Sequence, residues 1–234
     1  MKIVCVYKTG GDYSIEYVVR LRDAVNRHTS KAHDFLCLTD DSRVAMACDT
    51  IPLKHDWWGW WSKIELFRDE LPAGQYLYFD LDTIIVDEID ELIEQAALVN
   101  FAMLRGFNPS LGGDHPASGI MMGDFQSQFA IYERFVEDPI GWINQMQKNR
   151  PNAGMQGDQG YILEQVGWDV PKIQDFVPED YIVGKRHTLG PHSLRKNGTH
   201  GNVIPAAAHV VAWSGNPRLH TIKTGPIAEQ WRQI

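Results

Sequence analysis

The sequence predicts an α/β fold: a mostly parallel central sheet flanked by helices, in one domain spanning residues 1–234. Three observations carry that expectation. The chain opens strand, helix, strand, and such a unit crosses over right-handed to make its strands parallel neighbours. Further apolar, strand-like runs then alternate with stretches of helical periodicity along the chain. Finally, a chain of 234 residues that is 44% hydrophobic and 22% charged supports a sizeable core and is too apolar for a disordered polymer.

In order, Lys2 to Tyr7 is a short apolar run with β-branched residues, read as a buried strand, and Lys8 to Asp12 is a glycine-containing turn. Ser14 is placed to cap a helix in which Ile15, Val18, Leu21 and Val25 recur at helical spacing. His33 to Leu38 is a second strand, ending at the polar corner Thr39-Asp40-Asp41-Ser42. Ligands of parallel sheets collect beyond the carboxyl ends of the strands, which puts Lys8, Thr9 and Asp40 near one rim. Trp60 to Leu71 reads as a helix stopped by Leu71-Pro72-Ala73-Gly74. Gln75 to Val86 is the most strand-like run, apolar except for Asp80, Asp82 and Thr83. Ile89 to Ala96 reads as a short helix, and Val99 to Leu104 and Ser118 to Met122 as strands. Phe125, Phe129, Tyr132 and Val136 mark one amphipathic helix, Gly157 to Val166 another, and Ala206 to Trp213 returns to strand character. Residues 184–202 interleave glycines with Lys185, Arg186, His187, His192, Arg195 and Lys196, the composition of a long mobile loop.

A net charge of −8 argues against nucleic acid as a partner, because sequence-independent binding needs a strong positive field. No run approaches the ~18 apolar residues of a membrane helix. The opening apolar run is too short for a signal-peptide core, so a cytoplasmic location is expected. Cys5, Cys37 and Cys48 form no CxxC pair, and the first two sit in apolar runs as small buried thiols.

The sharpest chemical signal is Tyr76-Leu77-Tyr78-Phe79-Asp80-Leu81-Asp82-Thr83-Ile84-Ile85-Val86. In an extended chain Asp80 and Asp82 project to the same side, with Cα atoms about 7 Å apart, while Leu81 faces away. Two carboxylates closing an apolar strand are costly unless something positive sits between them. A hard divalent ion, Mn²⁺ or Mg²⁺, meets that need and keeps positions for phosphate oxygens. A strand end that caps a neighbouring helix or meets an arginine is the alternative.

Five ordered segments add to this pair: Gly59-Trp60-Trp61-Ser62-Lys63-Ile64-Glu65-Leu66-Phe67, Leu77 to Val86, Ser118-Gly119-Ile120-Met121-Met122, Gly157-Asp158-Gln159-Gly160-Tyr161 and Gly215-Asn216-Pro217-Arg218-Leu219-His220. Together they resemble the nucleotide-diphosphosugar transferases of the GT-A fold, especially family 8-type glycosyltransferases and related bacterial and phage proteins. The resemblance implies a GT-A-like domain that moves a sugar from a nucleoside diphosphate sugar, a UDP-sugar in the first instance. The acceptor hydroxyl would belong to a glycan, a protein or a lipid-linked molecule. It further implies that Asp80 and Asp82 hold the cation on the donor diphosphate. Tyr7, Lys8, Thr9, Tyr13 and Asp40 would meet the nucleoside. Lys63 resembles the family's basic residue near the phosphates, and Arg218 stands where the family has a phosphate-binding lysine, a task a guanidinium performs bidentately. The backbone of Leu81, Ser118 and Gly119 would pass close to the donor. From its own composition, the loop bearing Lys185 either closes over the diphosphate or is a solvated charged loop. The family's histidine metal ligand before the final glycine has no counterpart, since Ala212-Trp213-Ser214 precede Gly215.

Other readings stay open. Asp158 receives the acceptor proton, if the reaction inverts, or orients the sugar, or caps its helix, and Gln159 would sit near the reacting carbon. Arg105 either touches donor sugar or faces solvent. Trp57, Trp58, Trp60 and Trp61 are expected to divide between the core and the donor site. Two rival functions remain. One is a non-catalytic nucleotide-sugar or carbohydrate binder. The other is a haloacid dehalogenase-type phosphatase with Asp80 as nucleophile, which lacks that family's early nucleophile strand and later acidic pair.

Overall fold

The computed structural model of the chain describes residues 1–108, 113–148, 156–189 and 203–233. Its strands are β1 (Lys2–Tyr7), β2 (Asp34–Thr39), β3 (Asp49–Pro52), β4 (Tyr76–Phe79), β5 (Thr83–Ile85), β6 (Phe101–Arg105), β7 (Pro116–Gly123), β8 (Ile182–Gly184) and β9 (Val210–Ala212). Its α-helices are α1 (Ile15–Arg27), α2 (Asp90–Ala96), α3 (Ala130–Glu137), α4 (Pro139–Lys148), α5 (Gly157–Val166) and α6 (Pro226–Arg232).

The strand order of the main sheet is β3-β2-β1-β4-β7-β6. The pairs β1/β2, β2/β3 and β1/β4 are parallel, as the opening crossover predicts, while β7 runs antiparallel to β4 and β6. The mixed α/β fold with a mostly parallel sheet is therefore the one expected. α1 buries Tyr17, Val18, Leu21 and Val25 against one face of the sheet, and Ser14 precedes it in extended conformation without making a side-chain cap bond. On the other face Trp61, Ile64, Phe67, Phe101, Phe125, Phe135 and Tyr161 close a second apolar cluster. Among the described residues no helix is long and apolar enough to cross a membrane.

Several elements differ from the expectation. The run Gln75–Val86 is two strands, not one: β4 ends at Phe79, and Thr83 N–H donates to the Asp80 carbonyl at 2.9 Å to close a turn. β5 then joins a second sheet, ordered β5-β9-β8. Gly59–Phe67 is a 3₁₀ helix and stops short of Leu71. Its period of three suits the sequence, since Trp61, Ile64 and Phe67 fall on one face and are all buried. The Phe125–Val136 helix is split into a 3₁₀ turn, Phe125–Gln128, and α3. The final strand shrinks to Val210–Ala212. Of the expected loop, Gly184 ends β8 and Lys185–Leu189 form a 3₁₀ turn, while residues 190–202 lie outside the described residues.

Candidate active site

Because β1, β2 and β4 are parallel, their carboxyl ends reach one rim. β7 runs the other way, so its early residues Ser118 and Gly119 lie at the same rim beside Asp80. The Asp80 N–H donates to the Gly119 carbonyl at 2.8 Å, which ties the start of the acidic turn to β7. Leu81 points into the core at 5% exposure, so only its backbone is available to a ligand.

The two acids have different surroundings. Asp80 is the more open, with 35% of its side chain exposed, and its Oδ1 lies 2.9 Å from Lys63 Nζ. That same oxygen accepts from the Tyr78 hydroxyl. Asp82, 10% exposed, accepts from the Tyr13 hydroxyl at 2.7 Å, and its Oδ2 stands 3.6 Å from the Arg218 guanidinium. Burial, and then repulsion from Asp80, push the Asp82 carboxyl up to about 7. Burial also raises Asp80, against the pull of Lys63. An acid pair held at this cost is suited to a divalent ion, and carboxylate oxygens are the donors that Mg²⁺ and Mn²⁺ prefer. Among the described residues the hydrogen bonds and nearest cations fall on Asp80 Oδ1 and Asp82 Oδ2, so Asp80 Oδ2 and Asp82 Oδ1 are the oxygens that could take a cation. Among the described residues no group of three or more His, Cys, Asp or Glu converges on a cation site. His209 stacks on Tyr181 at 4.0 Å and His220 bonds the Tyr17 hydroxyl at 2.8 Å, so each is engaged elsewhere.

Lys63 is the hub of the site. Its ammonium lies 2.7 Å from Asp158 Oδ2, 2.9 Å from Asp80 and 3.2 Å from Ser118 Oγ. Burial alone would lower its pKa, but Asp158 and Asp80 outweigh burial and hold it above the ordinary lysine value. Ser118 Oγ in turn donates to Asp158 Oδ2 at 2.8 Å, and Ser118 N–H reaches Gln159 Oε1 at 3.3 Å. Asp158 stands in the first turn of α5, after the N-cap Gln156, and it faces this network rather than capping the helix. Among the described residues it is brought together with Lys63, Ser118, Gln159 and the acidic turn.

Lys8, Thr9 and Asp40, the residues expected to meet a nucleoside, are also brought together. Lys8 bridges Asp40 at 2.5 Å and Asp56 at 2.8 Å. Thr9 donates to Asp40 from its backbone N–H at 2.9 Å and from its hydroxyl at 2.6 Å. Although burial works the other way, these partners pull Asp40 down to about 2. Tyr7 is 5% exposed and packs in the core, so its ring face is covered. Tyr13 sits between Asp82 and Arg218, accepting from Arg218 at 2.8 Å. Lys185 donates to the backbone carbonyls of Ser214 and Asn216, over the segment that delivers Arg218. Arg105 is held by Asp114 and Asp175 in a separate surface cluster.

Three contributors escaped the sequence reading. Asp12 grips Arg218 at 2.8 Å, Asp56 holds Lys8, and Tyr78 bonds Asp80. Tyr78 alone left a local signal, two residues before Asp80 on the same strand face. Asp12 and Asp56 reach their partners only through the fold.

No protein-family model matches the sequence, and no curated protein matches it significantly. Solved structures do share the fold. The galactosyltransferase LgtC in complex with donor and acceptor sugar analogues superposes with TM-score 0.59 at 11% identity, over 98% of this chain and 94% of LgtC. The glycosyltransferase GlyE of Streptococcus pneumoniae TIGR4 gives 0.63 at 13% identity, over 98% of this chain and 59% of GlyE. Mouse xyloside xylosyltransferase 1 gives 0.51 at 12% identity, over 93% of this chain and 98% of the mouse protein.

Proposed function

We propose that this chain is a GT-A-type glycosyltransferase of the family 8 kind, moving a sugar from a nucleoside diphosphate sugar, a UDP-sugar first among candidates, to an acceptor hydroxyl. The observation that carries the reading is the acid pair at the carboxyl rim of the parallel strands, Asp82 buried and Asp80 half-buried. Cationic Lys63 stands on one side of it and Arg218 on the other. The shared fold with glycosyltransferases over nearly the whole chain supports it.

Asp80 and Asp82 would hold Mn²⁺ or Mg²⁺, which when bound neutralises the diphosphate as it departs. The remaining work falls to the chain. The corner built by Lys8, Thr9 and Asp40 receives the nucleoside, with Tyr13 at its inner edge. Arg218, and Lys185 above it, offer positive charge to the phosphates at the moment charge develops there, the form of electrostatic help that costs no reorganisation. In the transfer, the bond from the anomeric carbon to the diphosphate oxygen breaks and its electron pair stays with the diphosphate. The acceptor oxygen forms the new bond and gives up its proton, which ends on the departing diphosphate or in solvent. Asp158 and Gln159, anchored on Ser118 and Lys63, orient the sugar beside the reacting carbon.

A thermal-shift series tests the reading. UDP should stabilise the wild-type chain only when Mn²⁺ is present, by about 2.7 kcal/mol at a hundred times Kd. The Asp82→Ala chain should lose that response. Equal stabilisation of the variant would rule the assignment out, and UDP binding without transfer to any acceptor would favour the non-catalytic binder.

A further inference from the structure

The tryptophans of the 57–61 segment divide into two kinds on folding. Trp61 is 1% exposed and stacks on Phe135 with ring centroids 5.4 Å apart, and Trp57 stacks on His55 at 4.1 Å. Both are packing residues. Trp58 and Trp60 instead remain 52% and 54% exposed, with centroids 5.6 Å apart and planes inclined by 54°. Single exposed apolar residues are ordinary, but two adjacent half-bare indoles make a patch that calls for an occupant.

Their position says which occupant. The 3₁₀ period of three sets Trp60 on the same face as Lys63, the hub between Asp80 and Asp158. A Cβ on Gly157 would meet Trp60 Nε1 at 2.6 Å, so the indole lies directly against the backbone one residue before Asp158. The segment leading to the pair is firmly tied. Buried Glu65 accepts the Lys54 and His55 N–H groups at 2.7 and 2.9 Å, and Lys8 holds Asp56. Contacts therefore run in sequence from Arg218 to Asp82, through the acidic turn to Asp80, then to Lys63 and Asp158, with Trp60 against the neighbouring Gly157 and Trp58 beside Trp60. The diphosphate's cations stand at one end and the aromatic pair at the other. An indole face carries negative quadrupolar charge and offers nothing to a phosphate, whereas it suits the C–H face of a sugar. Two indoles inclined by 54° offer a small angled apolar face, unlike the continuous apolar groove an alkyl chain requires.

We propose that Trp58 and Trp60 form the acceptor subsite, receiving a pyranose ring of a saccharide acceptor and presenting its hydroxyl toward Asp158 and Ser118. This rests on the glycosyltransferase reading and narrows its acceptor to a glycan. The pre-tied segment lowers the ordering cost of binding.

Tryptophan fluorescence of the full chain with Mn²⁺ and UDP tests it, titrating methyl glucoside, methyl galactoside, N-acetylglucosamine, lactose and maltose, with uridine and octanol as comparison probes. At least one saccharide should give a saturable shift. Trp60→Ala should weaken its apparent Kd by about tenfold, the loss of one stacking contact. Trp60→Phe should weaken it less, and both variants should keep the thermal response to UDP with Mn²⁺. The inference is overturned if no saccharide gives a saturable response, or if the response survives in the Trp58→Ala/Trp60→Ala chain. It is equally overturned if uridine or octanol, instead of sugars, produces a shift that the substitutions remove. A Trp60-dependent saccharide response in a wild-type chain indifferent to UDP and Mn²⁺ would uphold the sugar platform while defeating the proposed transferase.

Discussion

Asp82 shows how a single residue records the needs of a site. Its carboxyl is raised to about 7 by burial and by Asp80, against an unfolded value of about 3.9. The folded chain therefore binds this proton more tightly than the unfolded chain between those two values, and stability falls as pH rises across the interval. The ligand-free protein should lose stability from about pH 4 to about pH 7 through this group. Asp82→Asn keeps an acceptor for the Tyr13 hydroxyl and removes the charge, so it should flatten that slope and be more stable than wild type at pH 8. Urea midpoints across the pH range would check this, and an unchanged slope in the variant would refute it. Such a residue is destabilising on its own terms, as expected where burial serves ligand binding.

At the scale of the element, the 3₁₀ helix Gly59–Phe67 is the piece that the sequence described least well. Its apolar residues, Trp61, Ile64, Leu66 and Phe67, fit a helical period closely enough to predict an α-helix, and the boundary at Leu71 followed from Pro72. The group that ties this segment to the loop before it is Glu65, 0% exposed, which draws the Lys54 and His55 N–H groups and Arg68 onto one carboxylate. That arrangement is long-range for the loop and invisible to periodicity. Glu65→Ala would leave the buried Arg68 guanidinium without its charge partner, held among the described residues by the Pro52 carbonyl alone, and would take the acceptor from two backbone donors. It should cost about 3 kcal/mol in urea denaturation, in keeping with a broken buried ion pair. A loss under about 1 kcal/mol would show that the loop does not depend on it. By contrast, α5 has the bounds Gly157–Val166 that its sequence implies.

For the molecule as a whole, the site depends on holding the second sheet against the first. The acidic turn is the crossing point between them, and α6 clamps β5 toward α1. Trp231 packs on Tyr17 at 5.1 Å and lies under the Arg20 guanidinium at 4.3 Å, while its carbonyl accepts from Arg20 at 2.8 Å. This helix is not among the elements expected from the sequence, although Pro226 stands at its first position, a place proline favours, and the surface it grips is set by the fold. Trp231→Ala should destabilise the chain by about 3 kcal/mol, measured as a lower urea midpoint. An unaltered midpoint would mean that α6 contributes little to the clamp.

By itself the sequence determined what local pattern can carry: a parallel strand-helix-strand opening, the rim on which polar residues gather, the acid pair and the helix bearing Asp158. These follow from periods of two and 3.6 and from turn chemistry, which act over a few residues. Only the tertiary structure decided that the acids sit on a turn between two sheets, that Lys63 joins Asp80 to Asp158, and which indoles stay bare. The physical reason is distance along the chain. Lys63 meets Ser118 across 55 positions, and Tyr13 meets Asp82 across 69. The partner that answers a buried charge is chosen by packing, and no local pattern records it.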